Sequence, residues 1–197
     1  MFSLQTIFGK GDKFYGLLEA SADAALLSAR ALGTMLADKS ETPALDEFRV
    51  ARRREKELFA QINQELVNTF VTALEREDIE ALAGALYKIP KTVEKFAERY
   101  ALFADRLTDI DYSSQAAMLA RASEVIVNMV GELRKGFKLD VMHALNERMQ
   151  SIESEADRLL LELYRDLFAD QADAGKLMVR KDLFELLEKA IDRCRDA

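Results

Sequence analysis

Two pairs of carboxylates stand four residues apart toward the C-terminal end of the chain, Glu153-x-x-x-Asp157 and Glu188-x-x-x-Asp192. On a helix that spacing places both members of a pair on one face. Each pair sits one residue past an apolar position, Ile152 and Ala156 in the first and Leu187 and Ile191 in the second. The acids therefore belong at a seam between adjacent helices, and two facing pairs would offer the oxygen donors that hard or borderline cations such as magnesium, manganese or iron prefer. A plainer reading competes with this one. With 35 acidic residues in 197, roughly six pairs at this spacing arise by chance, and most would be solvated helix faces.

A second set of residues is cationic: Arg52, Arg53, Arg54, Lys56, Lys88 and Lys91. Such a cluster suits an anion, the acidic surface of a partner, or anionic lipid. Its plainer reading is a solvated flank salt-bridged to neighbours such as Glu55 and Glu57. The single His143 lies four residues before Glu147, which allows a metal role but fits a surface histidine better. Cys194 continues an apolar stripe and reads as a small buried hydrophobe.

Composition narrows the rest. Lys and Arg total 28 against 35 Asp and Glu, a net charge of -7, which disfavours a grip on nucleic-acid backbone. One Cys and one His build neither a disulfide nor a Cys/His zinc site. No phosphate loop, nucleophile elbow or His-Glu-x-x-His appears, so the chain reads as a non-enzyme. It also lacks an apolar run long enough to span a membrane or serve as a secretory leader, and the expectation is a cytoplasmic protein.

These side chains must be positioned by helices, because the chain has 8 Gly, only 2 Pro and 49% hydrophobic residues. From Asp12 the positions Leu18, Ala22, Ala25, Ala29, Leu32 and Leu36 step by four and three and predict a first helix to about Asp38. A loop over Lys39 to Pro43, with Thr42 as cap and Pro43 in the first turn, leads into a second helix ending near Leu74. The stripe Ile79, Leu82, Leu86, Ile89, Val93, Phe96, Tyr100, Phe103 and Leu107 predicts a third, with Glu75 to Asp78 at its start and a bend at Pro90. After a turn at Thr108 to Ser113, a fourth helix spans about 114–134. Lys135-Gly136 separates it from a fifth over about 139–170. Gln171 to Lys176, with Gly175, ends that one, and a sixth carries Leu183, Leu187, Ala190 and Cys194.

Long helices with short connections lie antiparallel and pack as a bundle. The chain is thus read as one all-α domain over 1–197. Shifted by 101 residues, the first stripe falls on Leu119, Ser123, Ile126, Val130, Leu133 and Phe137, while Leu58, Leu66, Leu82 and Leu86 fall on Leu159, Leu167, Leu183 and Leu187. This register predicts two three-helix repeats, about 12–107 and 114–197.

The segment Phe70-Val71-Thr72-Ala73-Leu74-Glu75-Arg76-Glu77-Asp78-Ile79 resembles the Phe-Ile-Thr-Pro-x-Asp-Arg-Glu-Asp-Ile signature of the PhoU-like phosphate transport regulators, also called Pit accessory proteins. Ile152-Glu153-Ser154-Glu155-Ala156-Asp157 and Leu187-Glu188-Lys189-Ala190-Ile191-Asp192-Arg193-Cys194 are similar to the acidic motifs of that family's last two helices, and Phe14 to Leu36 to its first. The resemblance implies an antiparallel bundle of two three-helix repeats and an accessory role beside a membrane phosphate permease, at the inner face of the membrane. It also implies a divalent metal (Fe, Mn, Mg or Zn) held by one set of paired acids per repeat. Association into a homo-oligomer is compatible with it.

The chain departs from the family at the N-terminal set, where Arg52-x-x-x-Lys56 and Tyr87-x-x-x-Lys91 stand 101 residues before Glu153, Asp157, Glu188 and Asp192. A cation there would meet positive charge, so only the C-terminal repeat is expected to hold metal. Two alternatives remain open: a ligand-free helical scaffold, and a carboxylate di-metal oxidase, which would need paired Glu-x-x-His motifs that this chain lacks.

Overall fold

The computed structural model describes residues 4–38, 43–107, 110–169 and 174–197. Six α-helices follow one another: α1 (Leu4–Ala37), α2 (Asp46–Asn68), α3 (Arg76–Phe103), α4 (Ser113–Arg134), α5 (Leu139–Ala169) and α6 (Ala174–Arg195). The described residues contain no strand, and the fold is an all-α bundle. Each of α1, α2 and α3 packs on the other two, as do α4, α5 and α6, and the trios meet through α1 on α4 and α3 on α6. α2 and α5 therefore occupy separate flanks of the bundle.

The apolar stripes form the core. Leu18, Ala22, Ala25, Ala29 and Leu32 of α1 are fully buried, as are Ile79, Leu86, Ile89, Val93 and Phe96 of α3. Each large aliphatic side chain among them contributes about 2 kcal/mol by leaving water. The interface of α1 with α4 is sealed at its edge by Arg30 Nη2 on Glu124 Oε1 at 3.1 Å and Arg134 Nη2 on Glu19 Oε2 at 2.8 Å. Low numbers on α1 meet high numbers on α4, so these two helices are antiparallel.

The 101-residue register carries buried positions onto buried positions: Leu18 and Leu119, Ala22 and Ser123, Leu86 and Leu187, Val93 and Cys194. Cys194 is the small buried side chain that its stripe implies, 3.7 Å from Ser123 Oγ. The register fails at its end. Leu36 is half-buried but Phe137 is exposed, because α4 has already stopped. Gly136 (φ 91°) and Phe137 (φ 51°) both adopt left-handed backbone, and the Phe137 N–H reaches back to the Glu132 carbonyl at 3.3 Å, closing the helix end.

Several expected boundaries are corrected. α2 ends at Asn68, not near Leu74. The Arg76 guanidinium donates to the carbonyls of Leu66 and Thr69, so the end of α2 is capped by the first residue of α3. Pro43 lies outside α2, which begins at Asp46. The expected cap Thr42 lies outside the described residues, as do 39–41, 108–109 and 170–173. α3 stops at Phe103, and a 3₁₀ turn over Ala104–Arg106 precedes the buried Leu107. As expected, the buried Pro90 does not break α3, which continues through it. Gly175 and Lys176, expected in a loop, lie in the first turn of α6.

Candidate functional site

α5 and α6 are neighbours, and the groove between them holds the four predicted acids. Glu153, Glu188 and Asp192 are half-buried and Asp157 is exposed. Their apolar neighbours Ile152, Ala156, Leu187 and Ile191 are all buried in the core, which fixes the helix faces and leaves the acids at the seam. Glu188 is the most perturbed of the set. Burial raises its carboxyl to about 7, and Asp192, Asp157 and Glu185 add like charge that pushes the same way. Glu188 and Asp192 are also hydrogen-bonded to each other. Two of the predicted acids, Asp157 and Asp192, thus act on a third.

The fourth is already engaged. Glu153 receives a hydrogen bond from Arg195 Nη1, and the same nitrogen lies 3.9 Å from Asp192 Oδ1. Arg195 thus brings a fixed cation into the acidic groove, one helical turn from Asp192. Among the described residues no three or more of His, Cys, Asp and Glu form a ready cage for a metal ion. The donor set still suits a hard cation: burial and, after it, neighbouring carboxylates favour the protonated form of Glu188, and a divalent ion would offset the like charge. Further along the groove Glu185 accepts from Tyr164 Oη at 2.7 Å and from Lys181 Nζ. His143 is exposed on α5.

The corresponding groove between α2 and α3 is built around Tyr87. Its hydroxyl accepts a hydrogen bond from Arg52 Nη2, whose guanidinium carbon lies 4.1 Å from the ring centroid. Phe59 packs against the same ring at 5.0 Å. Lys91 Nζ is 5.9 Å from the ring centroid. The bond from Arg52 lowers the pKa of the Tyr87 hydroxyl, helped by the charges of Arg52, Lys91 and Lys56. Arg52 Nε is 3.7 Å from Glu94 Oε2. Arg53 and Lys88 are exposed on the same two helices, and neither is among the groups that act on the Tyr87 hydroxyl.

Two residues that sequence reasoning missed complete the picture. Glu55, expected among solvated partners of the cationic flank, is fully buried, and Ser21 Oγ donates to its Oε1 at 2.5 Å while Oε2 has no partner. Burial raises its carboxyl to about 7 against the lowering effects of Ser21, Arg52 and Arg54. Its stripe spacing signalled this, since Phe48, Glu55, Leu58, Ile62 and Leu66 are the buried positions of α2. The second is Arg195, which stands 101 residues after Glu94. Glu94 pairs with Arg52, the counterpart of Glu153, so the inter-helix ion pair recurs in both grooves with its sign reversed.

No family model matches the chain. Comparison with curated proteins finds a distant relative, the UPF0111 protein YkaA of Bacillus subtilis (strain 168), 24% identical over 133 residues. The match covers 67% of this chain and 64% of the relative, so the chain spans somewhat less than two thirds of the length of the protein it is similar to.

Proposed function

We propose that this chain is a PhoU-like regulatory protein that acts by binding, without catalysis, beside a Pit-type phosphate permease at the cytoplasmic face of the membrane. In this reading the C-terminal groove holds a divalent cation through Asp157, Glu188 and Asp192. The ion would cross-link α5 and α6 and supply a charge that a partner could sense. The observation that carries the reading is the placement of these three acids together at the seam between α5 and α6, where Asp192 and Asp157 bear on the half-buried Glu188. The all-α bundle and the motif resemblance support the regulatory role. Protein purified without chelators is expected to contain metal, and Glu188→Gln/Asp192→Asn protein is expected to lack it. Equal metal content in both would end the metal reading, and failure to co-purify with the permease from detergent extract would end the transporter reading.

A second reading is favoured by one specific contact. Arg195 already neutralises part of the acidic groove through Glu153 and Asp192. A scaffold whose α5–α6 seam is closed by this arginine alone would need no metal. Elemental composition of the purified protein separates the two.

A further inference from the structure

The groove between α2 and α3 gathers hydrogen-bond donors around Tyr87. The Tyr87 hydroxyl accepts from Arg52, which leaves its own proton to donate outward. Lys56 and Lys91 are exposed, and both act electrostatically on that hydroxyl. Among the described residues neither lysine forms an ion pair. Arg52 is held in place by the Tyr87 ring and by Glu94, and its Nη1 has no hydrogen-bond partner. Phe59 fixes the Tyr87 ring from another side.

The charge count is asymmetric. Among the described residues, Arg52, Lys56 and Lys91 have one ion-pair partner between them, Glu94 on Arg52, which leaves two positive charges in excess. Glu98 lies one turn along α3 and acts on Glu94. Glu55 is turned inward to Ser21 and does not reach the surface. A rigid phenol flanked by ammonium groups presents donors to an oxygen-rich anion and offers no oxygen cage to a metal.

We infer that Tyr87, Lys56 and Lys91, braced by Arg52, form a binding site for a dianionic tetrahedral oxyanion, a phosphate group either free in solution or carried on a lipid headgroup. The excess of two charges matches a dianion, and the Tyr87 hydroxyl adds a directional donor to the two ammonium point charges. The inference does not depend on metal in the other groove.

The test uses the full chain at constant ionic strength. Inorganic phosphate is titrated by calorimetry, and flotation is measured with phosphatidylcholine vesicles with and without phosphatidic acid. Lys56→Gln/Lys91→Gln is expected to weaken binding about tenfold or more, and Tyr87→Phe several-fold. Lys135→Gln, at the end of α4 and away from this groove, is expected to bind as the parent does. Thermal melts confirm that each variant is folded, and the ultraviolet difference spectrum of Tyr87 on phosphate addition reports contact at the phenol itself. Binding of inorganic phosphate that is lost in the double variant assigns the site to free oxyanion. Binding only to phosphatidic acid vesicles, with the same loss, assigns it to the headgroup. Absence of both up to about 10 mM phosphate, or binding that survives the double substitution, overturns the inference.

Discussion

Between α2 and α3 an arginine from the first helix meets a glutamate from the second; between α5 and α6 a glutamate from the first meets an arginine from the second. Arg52 and Glu153 are 101 residues apart, as are Glu94 and Arg195, so the two contacts occupy the same place in the helical register. Reversing one partner alone would set like charges against each other across the seam. Reversing both keeps the attraction and inverts the field around it. The remaining positions follow the inversion: Asp157, Glu188 and Asp192 in one groove stand where Lys56, Tyr87 and Lys91 stand in the other. The inter-helix clasp and the charge that such a groove presents are therefore separable. The first needs opposite charges; the second depends on which helix carries which sign.

The halves also differ beneath the surface, and there the largest effect is expected. Glu55 is buried where its counterpart Ala156 presents a methyl. The folded protein keeps the Glu55 proton up to about pH 7, whereas the unfolded chain releases it near the ordinary 4.5. Between those values the folded state binds the extra proton, so this contribution is full below pH 4.5 and is lost as pH rises through 7. The loss amounts to about 3 kcal/mol at most. Glu55→Gln keeps an acceptor for Ser21 and has no proton to lose. Its melting temperature should match the parent at pH 4.5 and exceed it at pH 8; parallel pH profiles would show that Glu55 titrates normally.

The next effect concerns the acidic groove. Glu188→Gln/Asp192→Asn should weaken manganese binding by about a hundredfold, since loss of direct ligands costs at least as much as loss of the groups that orient them. The matching change in the other groove, Lys91→Gln, should leave manganese affinity unaltered. Calorimetry that finds both variants equal removes the assigned difference between the grooves.

A smaller change sharpens the role of Arg195. Replacing it with Ala takes away the cation that lies on Glu153 and near Asp192. Divalent affinity should rise about tenfold if an ion and this guanidinium compete for the same acids. Unchanged metal content would place the acids outside any metal site and leave the arginine as a clasp. The smallest effect is that of the clasp itself. Arg52→Glu and Glu94→Arg should each destabilise slightly, and the double reversal should recover about 1 kcal/mol of coupling in a mutant cycle read by denaturant melts.

Much of this arrangement was legible in the residue order because apolar period survives burial. Leu18 through Leu32 and Ile79 through Phe96 were readable as stripes, and both proved to be core. The acids at the α5–α6 seam followed from lying one residue past such a stripe. Helix ends were less legible. The apolar run Phe70-Val71 continued the pattern of α2, yet Phe70 is almost fully exposed beyond the helix end. The cap that stops α2 comes from Arg76, and a guanidinium turned back on the preceding helix has no local signature. Glu55 reads as a solvated partner of the cationic flank because its charge type outweighs its position on the buried stripe. Arg195 escaped because its role depends on a neighbouring helix, although its offset from Glu94 carried the information.

The separation of α2 and α5 onto different flanks has a consequence at long range. With lysines that form no ion pair among the described residues beside one and a group of carboxylates beside the other, the bundle carries a transverse electric dipole on top of its net charge of -7. Near a charged surface, such a molecule experiences a torque as well as a force, and its approach is oriented before any contact forms. Added salt weakens that alignment within a Debye length of about 8 Å at physiological ionic strength.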